Sequence, residues 1–325
     1  MNLKGRNLLS MADISDDEIS GLVSDARNIK GNKEIPDLKG KSLGMIFEKP
    51  SLRTRVSFTV AMNQMGGSCI DLGKEIGIGS REPFEDVVRV LDRYFDALAM
   101  RTYSQERLNE LAGIANIPVI NALSDQEHPC QALADVLTIT EHIGQGGDVE
   151  LAYVGDANNV AASLAIAVAS VGMNSRFIFP RGYTMPESII SEARARAIKS
   201  KANFLITSDP ASSLSGVNVV YTDVWVSMGQ EAQSGQRIAD FDGYQIDSVM
   251  MSLAAPDAIF MHPMPAHYGE EVPERFLIDY PRSVTFDQAE NRLHLQKALE
   301  ELGFHTQKLD VLGVYEAHKF RFEKK

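Results

Sequence analysis

Lys49-Pro50-Ser51-Leu52-Arg53-Thr54-Arg55 stands between an apolar strand candidate, Leu43 to Phe47, and a helix candidate, Arg55 to Met65. The order is strand, tight loop, helix start. Pro50 biases Lys49 toward extended backbone and ends the strand. Ser51 suits an N-cap, and the first turn behind it leaves backbone N–H groups free. Such a terminus attracts anions. Two guanidinium groups and two hydroxyls added to those donors suit a phosphate carrying close to two charges, which arginine grips bidentately. The same residues also fit an N-capped surface helix with solvated arginines, and the stretch by itself leaves both readings open.

The chain on either side repeats the strand-then-helix order. Upstream, Ser15-Asp16-Asp17-Glu18 is a capping box, and Ile19, Leu22, Val23, Ala26 and Ile29 follow at helical spacing, predicting a helix over Asp16 to Ile29. Downstream come a strand ending near Leu72, a glycine-containing loop from Gly73 to Pro83, a helix over Phe84 to Tyr94, and the apolar run Ala97 to Met100 ending at Arg101. A further helix precedes a strand at Ile117 to Ile120. His128-Pro129-Cys130-Gln131 opens a long helix to about Ile143, with Pro129 suited to its first turn and Gly144, Gly146 and Gly147 ending it. Those glycines mark a domain boundary. A second series follows, with strands at Leu151 to Val154, Phe177 to Phe179, Phe204 to Ile206, Val219 to Tyr221 and Ile259 to Met261. A helix over Asp287 to Leu302 closes it. The pattern predicts an α/β protein of two domains, each a parallel sheet flanked by helices, joined by long interdomain helices. Ligands in such folds gather outside the carboxyl ends of the strands. The expected boundaries are 1–145, 146–286, a closing helix at 287–302 packing back on the first domain, and a tail at 303–325 with no assigned role.

Composition narrows the classes. The 325 residues are 44% hydrophobic with a formal net charge of −12 and a pI near 5.1. A general nucleic-acid binder needs a basic face to displace counterions, so any anion site here is local. The N-terminus lacks a basic start followed by an apolar core, and the most apolar helix candidate, Val160 to Met173, is too short and serine-broken to span a bilayer. The expectation is a cytoplasmic protein without membrane partners. Cys69 and Cys130 are too few for a disulfide framework or a four-cysteine zinc site, and read as reduced thiols.

Arg101 at a strand end, His128 before Pro129, the run Gln131-Ala132-Leu133-Ala134-Asp135 and the Ser51 stretch occur in one order along the chain. Together they resemble the carbamoyl-phosphate motifs of the aspartate/ornithine carbamoyltransferase family, whose usual first motif is Ser-Thr-Arg-Thr-Arg. Leu52 replaces its first threonine. The resemblance implies that Ser51 and Arg53 hold the phosphate, that Thr54, Arg101 and His128 donate to the carbonyl oxygen, and that Gln131 orients the carbamoyl nitrogen. Arg292 in Ala289-Glu290-Asn291-Arg292 matches a further family ligand. Asp223-Val224-Trp225-Val226-Ser227-Met228-Gly229 resembles the signature of the ornithine branch, implying that Asp223, Ser227 and the Met228 backbone grip the amino-acid end of ornithine, with Asn159 at its carboxylate. A carboxylate at 223 suits an ammonium and would repel the side chain of aspartate.

His262-Pro263-Met264-Pro265 departs from the ornithine branch, which carries cysteine where Pro263 stands, and looks more like the aspartate branch. The backbone carbonyls of Pro263 and Met264 remain available to substrate nitrogens. The implied reaction is carbamoyl transfer from carbamoyl phosphate to the δ-amine of ornithine, giving citrulline and phosphate, without metal or cofactor, as part of arginine metabolism. The rivals are transfer to another amine and a non-catalytic binding protein. Family members are trimers or multiples of trimers, and their loop corresponding to Gly73 to Pro83 reaches a neighbouring site. Here Arg81 lies one position from the usual basic residue. It reads equally as a neighbour's ligand or as part of a solvated loop.

Overall fold

The computed structural model describes residues 5–31, 36–73, 81–227 and 229–303. Met228, Lys74, Glu75 and the tail beyond Gly303 lie outside the described residues. The first half runs α1 (Asp16–Lys30), β1 (Ser42–Phe47), α2 (Leu52–Gln64), β2 (Ser68–Leu72), α3 (Phe84–Tyr94), β3 (Ala97–Arg101), α4 (Gln105–Ile114), β4 (Val119–Leu123) and α5 (Pro129–His142). The second runs β5 (Glu150–Val154), α6 (Asn159–Ser170), β6 (Asn174–Ile178), α7 (Glu187–Ser200), β7 (Phe204–Thr207), α8 (Pro210–Ser213) and β8 (Val219–Tyr221). It ends with α9 (Ser234–Asp240), α10 (Ser248–Met251), β9 (Ile259–Met261), α11 (Phe276–Asp279) and α12 (Thr285–Gly303).

Two parallel sheets result, ordered β2-β1-β3-β4 and β7-β6-β5-β8-β9. β3 and β4 are buried along their whole length, as strands covered by helices on both faces must be. Gly44 sits inside β1 because a Cβ there would come within 2.8 Å of Leu98 and 2.9 Å of Phe95. The chain reverses its strand order between β1 and β3 in the first sheet and between β5 and β8 in the second. In doubly wound sheets these switch points open a crevice at the carboxyl ends. The key stretch lies at the first crevice and Asp223 at the second.

α12 returns to pack on α1, α2 and α5. Lys30 Nζ donates to Asn291 Oδ1 at 2.8 Å and to Glu141 Oε2 at 2.9 Å, while Asn291 Nδ2 donates to Thr138 Oγ1 at 2.9 Å. The ladder fixes the rotation of α12 about its axis and so the direction of the next residue, Arg292. Several boundaries differ from the sequence reading. α2 begins at Leu52, three residues earlier than expected, and β4 covers Val119–Leu123 rather than Ile117 to Ile120. Ser51 occupies the N-cap position of α2, but its hydroxyl makes no capping bond. Among the described residues no helix is long and apolar enough to cross a membrane.

Candidate active site

A cleft of about 290 Å³ lies between the carboxyl ends of the two sheets. Ser51, Arg53, Thr54, Arg101, His128, Gln131, Asn159, Asp223, Ser227, Pro263, Met264 and Arg292 all line it. Arg81 is exposed and does not. Of the two guanidinium groups read in the key stretch, only Arg53 faces the cleft. Arg55 pairs with Asp71 on β2 and packs over the Phe47 ring. Lys49, Arg101 and Arg292 add further cations to the lining.

Each is delivered by local structure. The Glu48 N–H donates to the Arg101 carbonyl at 2.9 Å, and a register shift after Met100 pairs Arg101 with Leu123, skipping Ala122. Such a shift re-aims the end of a strand. Arg292 donates to Thr54 Oγ1 at 2.7 Å, joining α12 to the first turn of α2. His128 is the N-cap of α5, and its backbone N–H donates to Ser163 Oγ at 2.9 Å. Gln131 Nε2 donates to Asp135 Oδ1 at 2.9 Å, leaving the amide oxygen of Gln131 for the cleft.

The cationic side is electrostatically stressed. Burial, then the neighbouring Arg292 and Arg53, lower Arg101 to about 10. Burial likewise lowers Arg53, and burial together with Arg53 lowers Arg292. Burial, then Arg292 and Arg101, push His128 well below the ordinary imidazole range, so it is neutral at pH 7. The Arg101 and Arg292 Nε atoms and His128 Nδ1 are buried and have no hydrogen-bond partner among the described residues. None of the three arginines forms an ion pair there. Like charges gathered with free donors are suited to an anion.

The opposite side carries the reverse charge. Asp223 is 6% exposed. Its Oδ2 accepts from Asn158 Nδ2 at 2.7 Å and its Oδ1 from the Val224 N–H at 2.8 Å, and it has no ion-pair partner among the described residues. Burial raises its pKa against those two hydrogen bonds. Asn158 Oδ1 also caps α6 through the Val160 and Ala161 N–H groups, so Asp223 is tied to a helix start. Asn159 donates to the Ser124 carbonyl at 2.6 Å, joining the second sheet's loop to the first.

His262, fully buried, accepts from the Met264 N–H at Nδ1 (2.9 Å) and therefore donates from Nε2 to Glu271 Oε1 (2.9 Å). This pair anchors the Pro263–Met264 turn, whose two carbonyls accept no hydrogen bond from the described residues. Cys130 is buried, as a small core residue would be.

Sequence reasoning missed three contributors. Asn158 could have been found as a helix cap. Arg237 is buried, pairs with Asp156 at 2.6 Å and donates to the Trp225 carbonyl at 2.7 Å, bracing the loop that carries Asp223 and Ser227. Nothing in its local sequence marks it. The third, a buried network around Asp135, joins residues far apart in the chain.

Fold and cleft define a class: a two-domain α/β protein whose cleft, between two parallel sheets, sets a cluster of arginines opposite a buried carboxylate. The family model for the carbamoyl-P binding domain of aspartate/ornithine carbamoyltransferases matches residues 6–141, and that for the Asp/Orn binding domain matches residues 147–302. The chain belongs to the aspartate/ornithine carbamoyltransferase family. It is 50% identical over 298 residues to an ornithine carbamoyltransferase of Nostoc punctiforme, covering 91% of this chain and 96% of that one. The solved ornithine carbamoyltransferase of Pyrococcus furiosus superposes with a TM-score of 0.89 at 44% identity, covering 95% of this chain and 100% of that one. An acetylornithine transcarbamylase solved with acetylcitrulline shares the fold at 27% identity, with a TM-score of 0.83 over 93% of this chain and 100% of that one.

Proposed function

We propose that this chain transfers the carbamoyl group of carbamoyl phosphate to the δ-amine of ornithine, giving citrulline and phosphate. The observation that carries the reading is the division of charge in one cleft: three arginines on one side and the buried Asp223 on the other, none with an ion-pair partner among the described residues. The phosphate sits on Ser51, Arg53 and the free N–H groups of the first turn of α2, with Arg101 and Arg292 sharing its charge. Thr54, Arg101 and neutral His128 donate to the carbonyl oxygen, where negative charge builds as the amine attacks. Gln131 and the Pro263 and Met264 carbonyls accept from the carbamoyl nitrogen. Asp223 takes the α-ammonium, and Ser227, the Met228 backbone and Asn159 complete the grip on the amino-acid end. The neutral δ-amine attacks the carbonyl carbon, the tetrahedral intermediate collapses, and phosphate leaves with the C–O bond pair and takes up the proton that the attacking nitrogen loses. Holding both substrates in line supplies much of the acceleration.

In this reading residues 1–145 form the donor domain and 146–286 the acceptor domain, with 287–302 returning to the first. The enzyme is cytoplasmic and serves arginine metabolism. The test is product formation from carbamoyl phosphate with ornithine, aspartate, putrescine and N-acetylornithine in parallel. Citrulline formation at least about 100-fold more efficient than the other reactions is expected, because an unmatched buried carboxylate or a missing ammonium costs charge-assisted bonds. Preference for any other amine would overturn the choice of ornithine.

The assembly in this reading is a trimer or a multiple of trimers in which Arg81 reaches a neighbour's phosphate. Leu52 and Val56, four residues apart on α2, and Ile70 on edge strand β2 are exposed, which supports a second copy covering that edge. Arg53→Ala and Arg81→Ala are each expected to be inactive alone and to regain activity when unfolded and refolded together, since some interfaces then combine both intact arginines. Mixed trimers no more active than either parent would remove Arg81 from the site.

A further inference from the structure

Asp135 is fully buried on α5 and does not line the cleft, yet it bonds to Gln131, which does, and to Gln288 and Tyr221 from the second half of the chain. Its Oδ1 accepts from Gln131 Nε2 at 2.9 Å and from Gln288 Nε2 at 2.8 Å, and its Oδ2 accepts from the Tyr221 hydroxyl at 2.9 Å. Gln288 also donates to the Tyr221 oxygen at 3.1 Å. Since the Gln288 amide nitrogen is committed to Asp135, its oxygen faces the other way and accepts from the His262 N–H at 2.9 Å. One carboxylate thus fixes the amide of Gln131 in the first domain. Through Gln288 it also holds the start of the turn carrying the Pro263 and Met264 carbonyls in the second. Tyr221, on β8, ties the same group to the strand that leads to Asp223.

We infer that Asp135 is a positioning residue for recognition of the carbamoyl nitrogen: it sets the Gln131 amide with its oxygen toward the cleft and holds the Pro263–Met264 turn in register with it. The inference rests on the proposed role of Gln131. An amide side chain has two faces of opposite polarity, and only an acceptor behind the nitrogen keeps the oxygen forward. A buried donor left without a partner is costly, so the orientation is strongly held while Asp135 accepts. Burial raises Asp135 to about 7 against the bonds from Gln131, Gln288 and Tyr221. The group accepts from Gln131 whether or not it is ionised, because the proton can reside on the oxygen facing Tyr221.

The probe is the pair carbamoyl phosphate and acetyl phosphate, which share the phosphate and carbonyl and differ in an amino against a methyl group. Calorimetric affinities for both are measured on the intact protein, on Gln131→Ala, on Asp135→Ala and on Asp135→Asn. Asp135→Ala is expected to weaken carbamoyl phosphate about tenfold more than acetyl phosphate, the worth of one well-placed hydrogen bond. Asp135→Asn keeps an acceptor toward Gln131 and is expected to stay within about threefold of the parent preference. An equal loss for both ligands in Asp135→Ala means a merely structural role and overturns the inference.

If Gln131→Ala reduces the preference and Asp135→Ala does not, the inference fails while the role of Gln131 stands. If Gln131→Ala leaves the preference unchanged, the role of Gln131 fails and the inference with it. Should Asp135→Ala not fold, Tyr221→Phe decides, since it frees the carboxylate without removing the acceptor. A selective loss of about twofold to fivefold supports the inference, and an unchanged preference overturns it.

Discussion

Arg101→Gln is expected to lower turnover by about 10³-fold while leaving the protein as stable as before, or more so. Arg101 ends β3 at the switch point and carries a buried guanidinium whose Nε has no partner among the described residues. In the proposed mechanism it donates to the oxygen on which charge develops, and removal of one preorganised donor at such a position costs about 10²–10³ in rate. Loss of a positive charge beside the phosphate adds to this. The stability half of the prediction follows from the sign of the shift. Burial, Arg292 and Arg53 lower Arg101 to about 10, below the ordinary guanidinium range. Its charged form is therefore less favourable in the folded chain than in the unfolded one, and at neutral pH the cation works against folding. Neutral glutamine removes that opposition. Calorimetry should therefore give an equal or higher melting temperature without ligand, and a smaller upward shift when carbamoyl phosphate is added. A variant within tenfold of parental turnover would exclude Arg101 from the chemistry, and one that unfolds would give it a structural role instead.

The key stretch was legible because strand, proline, cap and arginines lie side by side in the chain, and most candidate residues fall on short runs of the same kind. What was misplaced has physical causes. Leu52 opens α2 with its side chain 74% exposed, so the first turn carries no apolar periodicity and the helix read as starting later. Asn121 lies in the middle of β4, fully buried, with its Nδ2 donating to the Leu9 carbonyl; a polar residue satisfied by a distant segment hid the second half of the strand. The partner of Arg55 sits on β2, and one-dimensional spacing does not distinguish an arginine facing an anion from one facing Asp71. The Asp135 network was least accessible. Its partners Tyr221 and Gln288 are 86 and 153 positions away, and only the packing of α5, β8 and α12 brings them together. Sequence periodicity reports which face of an element is buried, but not which buried polar groups will meet.

Asp223→Asn is expected to raise the ornithine KM about 100-fold and to leave carbamoyl-phosphate affinity within about twofold, since a hydrogen bond between charged groups contributes about 1.5–3 kcal/mol. The carboxylate is held in place before substrate arrives, one oxygen by Asn158 and the other by the Val224 N–H. Among the described residues it lacks only a cation. Burial raises its pKa above the ordinary 3.8, so its charged form is disfavoured until an ammonium is present. The sign of the pH effect follows. Ornithine needs Asp223 ionised, and a raised pKa means that acidification protonates it sooner than an exposed aspartate. The ornithine KM of the parent protein should therefore climb as pH falls toward the acid range, while the affinity for carbamoyl phosphate does not follow the same limb. In Asp223→Asn the group cannot titrate, so the profile should keep only the uniform slope from protonation of the δ-amine and lose the additional acid limb. Initial-rate measurements across pH with each substrate varied in turn test both halves. A KM for ornithine close to the parental value would make Asp223 a cap for its own loop and remove the main argument for ornithine over other amines. A large KM change with the acid limb still present would assign that limb to another group.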